Sequence, residues 1–123
     1  MKNNTWFKLG GAALLGLVIL GFAVPTGQTA TTATLTAIVQ NQQCQGGNLV
    51  NVTLTATLNP PAQNVQFQWD FNNDGVFDTA LSPNPTVTNL YPDEANVTAV
   101  VKVVKGRRSA TASVTFNTLR CGG

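Results

Sequence analysis

Histidine is absent from the 123 residues, and charged side chains make up only 10% of them. The first absence removes the usual general acid–base group and a preferred zinc ligand. No G-x-S-x-G stands anywhere to mark an activated serine. A catalytic reading is therefore not expected. Cysteine occurs only twice, at Cys44 and Cys121. With no histidine to complete a zinc site, the pair is expected to form a disulfide, as an even pair does in an exported chain. By chain-entropy reasoning, closing so long a loop is worth about 4 kcal/mol. Beyond residue 30 no stretch has an apolar face at helical period, and there is no internal repeat.

The N-terminus differs from the rest. Lys2 and Lys8 form a positive region, and Leu9 to Val24 is apolar without a charge. That is short of the about 20 apolar residues that cross a bilayer. It suits a secretory signal peptide, with Gly21-Phe22-Ala23 as a small-x-small cleavage site and Gln28-Thr29-Ala30 as a second. An uncleaved anchor helix is the alternative. No cysteine follows the apolar run, so a lipid anchor is not expected. Residues 1–30 are thus assigned to a signal peptide or anchor with a short linker, and residues 31–123 to one domain. Taking Lys2 and Lys8 from seven basic residues leaves five against five acidic ones. A chain of zero net charge has no long-range pull on nucleic acid or anionic lipid. Membrane contact would then come only through an uncleaved N-terminus. The acids lie between Asp70 and Glu94 and the bases between Lys102 and Arg120, the latter a small patch or a solvated hairpin.

What is present in quantity is alternation. Val50, Val52, Leu54, Ala56 and Leu58 alternate with Asn51, Thr53, Thr55 and Thr57, which is a half-buried strand. Val65, Phe67, Trp69 and Phe71 share a face opposite Gln66, Gln68 and Asp70. Val97, Ala99, Val101 and Val103 form another apolar face, with Val100 and Val104 on the side of Lys102. Ala110, Ala112, Val114 and Phe116 form the last. Thr31 to Gln40 and Thr86 to Tyr91 are further strands, and Asn41 to Asn48 is expected to be a polar connection carrying Cys44. Asn59-Pro60-Pro61, Ser82-Pro83-Asn84-Pro85 and Gly106-Arg107-Arg108 break the runs. About seven short strands with regular breaks predict an antiparallel β-sandwich.

One strand leads into a cluster of oxygen ligands. Asp70, Asn72, Asp74 and Asp78 surround Gly75, the D-x-N-x-D-G-x-x-D spacing of a calcium loop to which the carbonyl of Val76 adds an oxygen. Leu81 stands where an EF-hand loop has its bidentate Glu, so Asp93, Glu94, a carbonyl or water would complete the set. The other reading is that these side chains cap turns by accepting nearby backbone N–H groups. Both remain open on the sequence.

Trp69-Asp70-Phe71-Asn72-Asn73-Asp74-Gly75 resembles the WDFGDG signature of PKD (polycystic kidney disease) domains. Pro85, Tyr91 and the strand Val97 to Val103 fall where that family has a strand entry, a tyrosine before a turn and a long alternating strand. Ala95 and Val97 replace its usual Gly and Tyr. The resemblance spans roughly Gln45 to Asn117 and implies an immunoglobulin-like sandwich of an extracellular protein, mostly a non-catalytic spacer or binding module. The expected function is a secreted or cell-surface structural or adhesive module, with calcium at Asp70, Asn72, Asp74, Val76 and Asp78 as its stabilising ion. The alternatives are a binding module for a polysaccharide or an extracellular protein, and a subunit that assembles with itself into a filament. Strand alternation leaves only Phe77 and Tyr91 as candidate binding aromatics.

Overall fold

A computed structural model describes Val18–Phe22 and residues 31–122. Seven strands follow in chain order: β1 Val18–Phe22, β2 Thr31–Gly46, β3 Leu49–Asn59, β4 Gln66–Asp70, β5 Thr86–Pro92, β6 Asn96–Lys105 and β7 Arg108–Asn117. The described residues contain no helix. The apolar helix expected over Leu9 to Val24 lies, save for β1, outside the described residues.

All strand pairs are antiparallel, in two sheets ordered β1-β2-β3-β5 and β4-β6-β7. The chain changes sheet at Asn59-Pro60, a cis bond, where β3 stops because proline has no N–H for a ladder. It changes back between β4 and β5 and crosses once more between β5 and β6. The last hairpin is tight: Lys105 pairs with Arg108 around Gly106-Arg107, with Gly106 at φ 58°. A backbone that turns this sharply within two residues favours glycine there.

The expected faces meet between the sheets. Val50, Val52, Leu54, Ala56 and Leu58 of β3 and Leu35 and Ala37 of β2 are buried on one side. Trp69 and Phe67 of β4, Val97 to Val103 of β6 at alternate positions, and Ala112, Val114 and Phe116 of β7 are buried on the other. Trp69 is 0% exposed, the largest side chain so enclosed. Its Nε1 has no hydrogen-bond partner. That omission costs about 1–3 kcal/mol, set against the area of an aromatic ring removed from water. Outside, the sheets are lined by half-buried threonine. Thr55 pairs with Thr86 and Thr98 with Thr115, each with hydroxyl oxygens 2.8 Å apart, the cross-strand pairing that stabilises a polar sheet face.

Two expectations need correcting. β2 does not end at Gln40: it runs on through the Gln/Asn segment to Gly46, so Cys44 sits within a strand. Uncharged Gln and Asn tolerate an exposed strand when the backbone has a partner ladder, and Val50 to Thr53 provide it. The mismatch is absorbed by two irregularities, at Val39/Asn41 and Cys44/Gly46. The second correction concerns Asp70, placed by alternation on the outer face. It is 3% exposed.

Cys44 and Cys121 form the disulfide, with Cα atoms 5.6 Å apart and a separation of 77 positions in sequence. It anchors the tail after β7 to the far end of β2. Replacing both by serine should lower the unfolding free energy by about 2–4 kcal/mol, read from urea midpoints of the oxidised protein and the variant. An unchanged midpoint would mean that the tail's hydrogen bonds alone fix it.

Candidate functional site: the Asp70–Ser82 loop

β4 has a free edge, and the loop after it folds back to close that edge. Phe67 exchanges both backbone hydrogen bonds with Ser82, at 2.7 and 2.9 Å. The Trp69 carbonyl accepts from the Asp78 N–H at 2.7 Å and the Thr79 N–H at 3.3 Å. The Trp69 N–H donates to Thr79 Oγ1 at 2.9 Å. Every outward backbone group of the strand's two core residues is thereby met, which also blocks strand addition at this edge.

The turn is held from inside by Asp70. Its Oδ2 accepts the Gly75 N–H at 2.9 Å, and its Oδ1 the N–H groups of Asn72 and Asp74, both at 3.3 Å. Asp74 Oδ1 accepts the Val76 N–H at 2.9 Å, and Asp78 Oδ2 the Phe71 N–H at 2.8 Å. Asn73 and Gly75 take left-handed backbones, φ 57° and 88°, conformations suited to Asn and Gly. This explains the burial of Asp70. A carboxylate that gathers three N–H groups turns inward with the loop, whatever strand parity assigns.

Asn72 lies between two carboxylates. With its amide nitrogen toward them it donates to Asp70 Oδ1 at 3.0 Å and to both Asp74 oxygens at 3.2 Å. With its oxygen toward them, four side-chain oxygens crowd together, favourable only around a cation. The donor chemistry suits a hard ion: every candidate ligand is oxygen, and three of them, Asp70, Asp74 and Asp78, carry charge. Asp78 is drawn aside to Phe71, and the Val76 side chain is 65% exposed. Among the described residues no three acidic, histidine or cysteine side chains group to hold a metal. The structure therefore brings Asp70, Asn72 and Asp74 together and sets Asp78 apart at the strand end.

The candidate aromatics are both engaged. Tyr91 is 5% exposed; its hydroxyl donates to the Phe71 carbonyl at 2.7 Å, and its ring meets Phe116 edge-on with centroids 5.7 Å apart. Burial pushes its phenol up to about 12, with the Asp78 and Asp70 charges adding to the rise and Asn89 opposing it. Phe77 is half-buried with the Lys102 ammonium 5.7 Å from its ring centre, a cation–π contact.

A second polar cluster holds the tail. Asp93 Oδ2 accepts the N–H groups of Gly122 and Cys121, at 3.0 and 3.1 Å. These two donors hold its carboxyl below the usual range. Thr118 Oγ1 donates to the Pro92 carbonyl at 2.8 Å and accepts from the Ala95 N–H at 2.7 Å. A Cβ at Gly122 would run into the Asn48 side chain. Glu94 and Arg120 pair at 2.9 Å but both are exposed, so the pair contributes less than about 1 kcal/mol. Sequence reasoning missed Thr79, Ser82 and Thr118, because each bonds a backbone group distant in sequence, and it named Asp93 only as a further calcium ligand, whereas Asp93 holds the tail. Comparison with protein-family models, with curated proteins and with solved structures finds no match.

Two tests follow from this geometry. Asp70→Ala should cost about 1–3 kcal/mol and speed amide exchange at Asp74 and Gly75. Slow exchange at those amides in the variant would transfer the anchoring role to Asp78. For Tyr91, the folded phenol ionises at about 12 rather than 10.0. Stability from it is complete below pH 10 and is lost as pH rises toward 12, because the unfolded chain ionises first. Tyr91→Phe should flatten that alkaline loss in melts across the range, and an equally steep loss in the variant would refute the assignment.

Proposed function

We propose that the protein is a non-catalytic structural or adhesive module of the cell exterior, secreted or surface-displayed, with an immunoglobulin-like sandwich of the PKD kind and calcium in the Asp70–Asp78 loop. The observation that carries the reading is the use made of the carboxylates. Asp70, Asp74, Asp78 and Asp93 each accept backbone N–H groups and fix a loop or the tail. Acid–base catalysis needs a carboxyl held in reach of a substrate proton instead.

Three features support the surroundings proposed. The disulfide suits an oxidising compartment. The two antiparallel sheets, with β2, β3 and β5 in one and β4, β6 and β7 in the other, support the immunoglobulin-like reading. Trp69 on β4 is fully buried in the core, as strand alternation predicts, and it opens the stretch 69–75 that resembles the PKD signature. A polysaccharide platform is the weaker alternative, since Tyr91 is buried and Phe77 lies under Lys102. The partner is then an extracellular protein, another copy included.

Calcium would be held by Asp70, Asn72 and Asp74, with Asp78 and the Val76 carbonyl within the same loop. Bound there, the ion would supply rigidity by neutralising two carboxylates and turning the Asn72 oxygen inward. Calcium at ten times its Kd should add about 1.4 kcal/mol, some 4–8 °C per kcal/mol for a domain of this size. Thermal melts of the oxidised protein in millimolar calcium and in chelator measure it. Asp74→Ala should abolish the shift. Equal melting in both buffers would leave Asn72 donating to its neighbours and remove calcium from the proposal.

A further inference from the structure

β2 meets the N-terminal segment at an edge. Its first five residues pair with β1 in a continuous antiparallel register, from Val18↔Leu35 to Phe22↔Thr31. Eight residues of chain join the two strands. Across its whole length β2 carries neither a charged residue nor a proline, the devices that ordinarily keep an edge from accepting another strand. The opposite sheet is treated otherwise, for β4 is closed by Asp78, Thr79 and Ser82. Nor is β1 charged: its sequence is Val-Ile-Leu-Gly-Phe, with no lysine to discourage pairing.

We propose that β1 is an exchangeable arm, and that Val18–Phe22 of one copy adds to Thr31–Leu35 of a second copy in the register it has within one chain. The edge's competence for this strand is visible in the intrachain pairing itself. Moving the strand to a neighbour re-forms the same ladder bonds, so the balance rests with the joining residues and with protein concentration. Reciprocal exchange closes a two-fold dimer; successive exchange builds an open head-to-tail chain. The inference concerns the form of the protein that keeps its N-terminal segment, and it is independent of calcium.

The full chain carrying Ile19→Cys and Thr34→Cys tests it, because these positions are Cα partners in the ladder. Thr34 is half-buried rather than in the core, so the substitution spares the interior. Oxidised over rising protein concentration and run without reductant, this variant should give covalent dimers or a ladder whose share rises with concentration. Differently tagged chains should cross-link to each other. Linked monomers alone at every concentration would overturn the proposal. So would equal interchain linking by Ile19→Cys with Thr36→Cys, which lies out of register. In the otherwise unaltered chain, Leu20→Pro should remove assembly seen by light scattering, since a proline breaks the arm's ladder. Assembly that survives Leu20→Pro would also defeat it.

Discussion

Everything in this molecule depends on closing both flanks of one short strand. β4 has five residues, and its fourth, Trp69, is the largest fully buried side chain. On one flank it pairs with β6; on the other no strand among the described residues pairs with it. The loop from Phe71 to Ser82 supplies the missing partners one backbone group at a time. Asp70 makes this possible by gathering three N–H groups into a tight turn that sends the chain back along the strand. Tyr91 then ties the other sheet to the loop through the Phe71 carbonyl, so a single turn links strand, loop and opposing sheet.

The scarcity of charge acquires a physical sense from this arrangement. Few acidic side chains exist, and four of them are acceptors for backbone N–H groups that would otherwise lie unmet at turns. Charge-assisted bonds of that kind are stronger than neutral ones, and a small sandwich gains more from fixed loops than from surface ion pairs. The exteriors of the sheets are left to threonine, whose branched side chain suits a pleated surface and whose hydroxyl pairs across strands.

Much of the fold was legible in the sequence because period-two alternation survives wherever a strand has one buried face. The inward sets of β3, β6 and β7 lie where alternation put them, with Ala110 half-buried at its end. Legibility failed where pairing rather than burial determines structure. The Gln/Asn half of β2 has no apolar signal, and it is a strand only because β3 lies beside it. Asp70 defied parity because a hydrogen-bonding demand from the next five residues outweighed its place in the pleat. At the candidate site, the spacing of Asp70, Asn72 and Asp74 was informative and that of Asp78 less so: proximity in sequence did not reveal that the Phe71 N–H would claim it. The holders Thr79 and Thr118 could not be read at all, and Asp93 was read for a metal rather than for the tail, since their partners are set by tertiary contact.

The position of the disulfide governs how the domain would bear tension. A pull applied ahead of β2 and beyond Cys121 travels along β2 to Cys44 and leaves through the sulfur bridge to the tail. Strands β3 to β7 hang from that line as a covalently closed loop and carry none of the axial load. Stretching can peel β2 from β3, yet it cannot unravel the remainder, so the extension available before a covalent bond is loaded is limited to the residues outside the loop. A module built this way acts as an inextensible link with a folded domain attached to its side.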